Sequence, residues 1–156
     1  MKIRKNPFVL LVVISVLLLT GCRSNAVPED FNISFQYGQS DSTIITIDTY
    51  NGIISKGIDQ KNRQQFNMSP KDKKTIYKAF KKYNIQSFDG QYRGSSAEPG
   101  NNVRFAIKFT VNRKTSIVSG DNTTKSHKEK DTSSLLKFRD YMIEYIEGLD
   151  EYSQLQ

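Results

Sequence analysis

Apolar and polar residues alternate strictly from Phe31 to Tyr37: Phe31, Ile33, Phe35 and Tyr37 are separated by Asn32, Ser34 and Gln36. A period of two is that of a strand with one buried face, and it predicts the first strand of the chain. Two further β-rich runs follow, residues 43–49 and 53–58, with Asn51-Gly52 between them. Both of those residues tolerate positive φ, so the pair predicts a type I′ hairpin and an antiparallel meander of three strands.

At Ser69-Pro70 the period changes. Serine can cap free helical amides, proline suits the first turn, and Asp72 lies near the positive end of the helix dipole. Ile76, Ala79, Phe80 and Tyr83 then recur at helical spacing and predict a buried stripe, while Lys71, Lys73, Lys74, Lys78, Lys81 and Lys82 occupy much of the remaining surface. That surface reads either as a plain solvated face or as a patch for anionic lipid heads or teichoic acid. Residues 86–102 are rich in Gly and Ser and predict a long loop, with a short edge strand beginning near Phe88; Tyr92, Arg93 and Glu98 are its candidate binding residues.

Val103, Phe105, Ile107, Phe109 and Val111 alternate with polar or small residues, and Asn112-Arg113 offers a tight turn into residues 114–119. After a polar stretch to Asp131, Leu135, Phe138, Met142, Tyr145, Ile146 and Leu149 mark a last amphipathic helix that stops near Gly148. The order βββα, loop, ββα predicts a two-layer α+β domain over residues 31–149: an antiparallel sheet of about five strands with two helices on one face. Residues 150–156 are expected to fray. On the first hairpin, Asp48 and Tyr50 fall on the outer period, where a carboxylate and a phenol could meet a ligand or simply be solvated.

Charge changes this picture little. The chain has 156 residues, 23 basic and 16 acidic, a formal charge of +7. Three of the basic residues, Lys2, Arg4 and Lys5, precede an apolar run from Phe8 to Leu19. Without them the remainder carries a small positive balance, which argues against nucleic acid as a partner and suits a domain held near an anionic surface.

The N-terminus is more informative. A basic segment, an apolar stretch too short to cross a bilayer comfortably and then Leu19-Thr20-Gly21-Cys22 occur in the order of a secretory leader. This segment resembles the lipobox signal peptide of bacterial lipoproteins. The resemblance implies removal of residues 1–21, including Leu19, Thr20 and Gly21, and acylation of Cys22 as the first residue of the mature chain. Residues 22–30 then serve as lipidated N-terminus and tether. An ordinary signal peptide or a buried free thiol is the competing reading. Position 23 is Arg, not the Asp that retains enteric lipoproteins at the inner membrane, and the Lys- and Asn-rich composition suggests a low-GC organism. The expected address is the outer side of the cell membrane, or the outer membrane in a Gram-negative cell.

Tyr37-Gly38, the run Asp48 to Gly52, and Ser69-Pro70 are similar to features of small uncharacterised lipoproteins of Bacillus-like bacteria, a likeness that implies one domain of this order and carries no activity.

Reaction chemistry is not signalled. Cys22 is the sole cysteine and His127 the sole histidine, the latter in a polar run; no HExxH, Walker or GxGxxG motif occurs. No cofactor or metal is implied. Asp41, Asp48, Asp59, Asp89, Glu98 and Asp121 leave a small carboxylate-based hydrolase open. The preferred reading is a non-enzymatic binding module, held on the membrane by its lipid, for an envelope protein or a cell-wall polymer. An inhibitor or immunity-type lipoprotein that blocks a lytic enzyme or phage factor is the alternative.

Overall fold

A computed structural model describes residues 26–58, 62–92, 103–121 and 132–155. The alternating stretch that begins at Phe31 forms strand β1, Asn32–Gly38. Strands β2 (Ile45–Asp48), β3 (Ile53–Lys56) and β4 (Asn62–Gln65) follow, then helix α1 (Pro70–Lys82) and a 3-10 turn at Ile85–Ser87. The chain continues through β5 (Gly90–Tyr92), β6 (Arg104–Val111), β7 (Lys114–Asp121), α2 (Ser133–Glu147) and the short α3 (Asp150–Ser153).

The strands form one sheet in the order β4-β3-β2-β1-β6-β7-β5. Every pairing is antiparallel except that of β5 with β7. Register places Phe35 between Ile47 and Ile107, and Ile33 beside Phe109, on one face of the sheet. Helices α1 and α2 cover that face with Ile76, Tyr77, Ala79 and Phe80 from one and Leu135, Phe138, Met142 and Ile146 from the other. Phe80 is at the centre of this packing: it meets Phe31 at 5.5 Å, Phe109 at 4.9 Å and Phe138 at 6.3 Å between ring centroids, all edge to face. Each such ring, removed from water, contributes roughly 1.5–3 kcal/mol.

The two helices occupy different ends of the sheet. Helix α1 lies where the chain joins β1, since Phe31 packs on Tyr77 at 4.9 Å and Phe80 touches Phe109, a residue near the C-terminal end of β6. Helix α2 reaches the other end, where the Arg139 guanidinium sits 5.8 Å above the ring of Phe105, the register partner of Tyr37. Helix α1 starts as its sequence predicts: Ser69 Oγ accepts the amide of Asp72 at 3.1 Å, with Pro70 in the first turn. No helix among the described residues is long and apolar enough to cross a membrane.

Four expectations need correction. The sheet has seven strands and is mixed: the short edge strand expected near Phe88 is β5, which pairs parallel with β7, and β4, too polar to show a hydrophobic period, is held by backbone pairing to β3. The tail does not fray at once: Asp150–Ser153 is helical, and Tyr152 and Leu155 pack against the core. The fold also begins before residue 31, because the Phe31 amide donates to Pro28 O at 3.0 Å, Lys73 Nζ donates to Glu29 O at 2.8 Å, and Asp30 bonds the β6–β7 turn.

The fourth concerns the turns. Asp48 pairs with Ile53, so a four-residue connection joins β2 to β3, with positive φ at Gly52 but not at Asn51. The two-residue turn with positive φ at both positions is instead Asn112-Arg113, between Val111 and Lys114.

Candidate functional site

The end of the sheet remote from Phe31 holds a cleft of about 470 Å³. Strand register builds its base. Gly38, Arg104 and Asp121 form one row across β1, β6 and β7, and Gln36, Ala106 and Ser119, two residues along, form the next row on the same face. Tyr37 and Phe105 border the cleft as well, but the Phe105 side chain is buried in the core, so the lining offers mainly amide, hydroxyl, carboxylate and guanidinium groups.

One wall is the connection from β1 to β2, and it is tied down in detail. Thr43 Oγ1 accepts the amides of Ser40 at 2.9 Å and Gln39 at 3.2 Å and donates to Ser40 O at 3.0 Å. The far side of this turn is bonded to the end of β3, with Gly57 N donating to Ile44 O at 2.8 Å and Ile58 N to Asp41 O at 2.9 Å. Gly38 lets the wall fold back: a Cβ there would lie 2.7 Å from Ile44 Cα, a backbone atom that cannot swing aside. The cleft is therefore held in shape before any ligand arrives.

Its charges are of both signs. Arg104 and Asp41 are exposed, while Asp121 is buried and already engaged within the fold. Tyr37 borders the cleft, its ring lies 5.7 Å from that of Phe35, and its hydroxyl is buried without a hydrogen-bond partner. Burial, then the neighbouring Tyr152 phenol and the Glu147 carboxylate, pushes the Tyr37 hydroxyl well above its ordinary pKa, so it stays protonated in the physiological range. Such a set can hold a ligand through hydrogen bonds and charge. Among the described residues no three His, Cys, Asp or Glu side chains gather as metal ligands.

Of the residues singled out from sequence, the carboxylates Asp41 and Asp121 line this cleft, while the candidate loop and hairpin residues do not assemble there. Tyr92 is a correction: it is 8% exposed on the helix-covered face of β5, opposite Gly120, with its ring 5.8 Å from that of Phe88. It is a core residue and cannot serve as a loop contact. Arg93 and Glu98 lie outside the described residues, as do Leu19, Thr20, Gly21 and Cys22.

Asp48 and Tyr50 are described and occupied. The Asp48 carboxylate accepts Tyr50 N at 2.9 Å and Asn51 Nδ2 at 2.7 Å, holding the four-residue connection. Tyr50 reaches across β1: its hydroxyl is 2.8 Å from Thr110 Oγ1, and Lys108 Nζ stands 4.8 Å from its ring centroid. These side chains fasten the first hairpin to β6.

Arg104 and Ser119 carry no motif in the sequence and are far from Gly38 along the chain. The Tyr37-Gly38 pair just before a polar connection was the one local signal available. Comparison with protein-family models, curated proteins and solved structures gave no match.

Proposed function

We propose that this protein is a lipid-anchored extracytoplasmic domain that works by binding an envelope protein or a cell-wall polymer at the cleft between Ser40, Arg104 and Ser119, without chemistry of its own. The lipobox-like sequence ending at Cys22 supports the anchor. The observation that carries the binding reading is the position of the cleft: β1 leads directly from the chain's N-terminal segment, at Phe31, to the cleft, at Gly38. Seven strand residues span about 20 Å. A domain tethered at one pole thus presents its preshaped, polar cleft at the other, away from the membrane. Tethering raises local concentration, so the cleft can work with modest intrinsic affinity.

Two measurements test this. Cys22→Ser is expected to abolish diacylglycerol labelling and leave unprocessed precursor; a labelled, membrane-retained Cys22→Ser protein overturns the anchor. A photocrosslinking residue at exposed Ser40 should capture a defined partner on intact cells, whereas the same probe at exposed Arg63, on β4, should not. Equal capture from both positions, or none from Ser40, overturns the cleft reading.

A further inference from the structure

We infer that the exposed lysine face of α1, together with Arg113 and Lys114 of the β6–β7 turn, is a membrane-docking surface for anionic lipid headgroups that fixes the orientation of the tethered domain. This rests on the anchor proposed above and adds to it the face that meets the bilayer.

The geometry points to this face through the path of the chain. Lys73, in the first turn of α1, donates to the carbonyl of Glu29 at 2.8 Å, and Asp30 accepts the amides of Asn112 and Arg113. The segment leading back to Cys22 therefore leaves the fold between the start of α1 and the β6–β7 turn. Six Cα–Cα steps separate Cys22 from Pro28, which bounds their separation at about 22 Å however those residues are arranged. Whatever surface surrounds that exit is held close to the bilayer.

That surface is cationic by construction. Lys71, Lys74, Lys78 and Lys81 follow one another at intervals of three and four residues, so they share a side of α1, and all are exposed. The opposite side of the helix is occupied by Ile76, Tyr77, Ala79 and Phe80 in the core. None of these lysines is paired with a carboxylate among the described residues, and Arg113 and Lys114 are exposed on the neighbouring turn. Carboxylates at this pole are mostly committed: Asp30 to the turn amides, Asp48 to Tyr50 and Asn51, and Asp72 to Ser69, with Glu29 exposed.

A flexible leash alone would let the domain tumble. Several lysines within a Debye length, about 8–10 Å, of an anionic leaflet bias it towards one orientation. The same orientation turns the cleft outward. A wall polymer could offer similar charge, but the short reach from Cys22 favours the bilayer.

The test uses the full mature chain purified from membranes and placed in vesicles of phosphatidylcholine, with or without phosphatidylglycerol. A water-soluble lysine acylating reagent is read residue by residue by mass spectrometry. Lys71, Lys74, Lys78 and Lys81 are expected to react about fivefold more slowly when phosphatidylglycerol is present, with recovery in high salt, while Lys137 on α2 stays unchanged. Protection of Lys114 should weaken in a Lys71→Gln/Lys74→Gln/Lys78→Gln/Lys81→Gln variant. Equal reaction rates in the two vesicle types, or protection that appears only when wall polymer is added, overturns the inference. Intact mass of the starting protein separates the two failures. An acylated chain with uniform rates sinks the docking face alone, whereas an unacylated chain sinks the anchor and the docking face with it.

Discussion

The Asp30 carboxylate accepts the backbone amide of Asn112 at 3.2 Å, and the adjacent amide of Arg113 as well, so a residue two positions before β1 caps the turn between β6 and β7. Asn112 and Arg113 both adopt positive φ, which costs energy for residues with a Cβ, and the two charge-assisted bonds offset it. Asp30→Ala should lower stability by about 1–2 kcal/mol, read as a reduced urea midpoint with an unchanged slope. Arg113→Gly should recover part of this loss in the same background, because glycine relieves the backbone conformation.

Phe80 joins α1 to the sheet and to α2 through Phe31, Phe109 and Phe138. Phe80→Ala should cost about 3–5 kcal/mol, near the whole stability of many domains this size, so the variant is expected to be largely unfolded at 37 °C by circular dichroism. Tyr92→Ala should also destabilise the fold and lower the thermal midpoint, which tests its assignment to the core. A Tyr92→Ala protein with wild-type stability would return that residue to the surface.

At Gly38 a new Cβ would run into Ile44 Cα and Thr43 O, so Gly38→Ala must shift the cleft wall. A loss of about 1–3 kcal/mol is expected, together with weaker capture of a partner from Ser40. Ser119→Ala removes only a hydroxyl from the lining and should leave the thermal midpoint within a degree or two of wild type, roughly 0.5 kcal/mol.

Two phenols report on alkaline stability. Tyr37 and Tyr145 have buried hydroxyls without hydrogen-bond partners, and burial is the largest cause holding both well above their ordinary pKa. An unfolded tyrosine loses its proton near pH 10, so above that value the unfolded chain binds fewer protons than the native one and stability falls as pH rises. Below about pH 10 the two groups add no slope. The Tyr37→Phe/Tyr145→Phe variant should be about as stable as wild type at pH 7 and lose less between pH 10 and 11, measured as urea midpoints.

Parts of this architecture were legible along the chain because they are local. The alternation at Phe31 to Tyr37 and Val103 to Val111 requires a strand with one buried face in any context, and β1 and β6 are central in the sheet. Ser69, Pro70 and Asp72 start α1 through bonds made within one turn. Strand β4, with the sequence Asn-Arg-Gln-Gln, has no apolar residue to reveal it and exists because β3 offers unpaired backbone groups. Tyr92 looked like a loop aromatic because its neighbours are Gly, Ser and Arg, yet three residues of parallel pairing with β7 turn its ring into the core.

The candidate site was largely illegible for the same reason. Gln36, Arg104 and Ser119 meet only because β1, β6 and β7 lie side by side in one register, and no short-range pattern encodes which strands become neighbours. The sequence by itself determined the strand and helix periods, the cap of α1, the lysine-rich composition of that helix and the lipobox-like leader, all of which depend on residues within a few positions of one another. Tertiary structure alone decided that β5 pairs parallel to β7, that Tyr50 and Asp48 brace a hairpin, and that the cleft and the lysine face occupy opposite poles. Those relationships depend on contacts between residues tens of positions apart, set by how the apolar faces of sheet and helices are buried together.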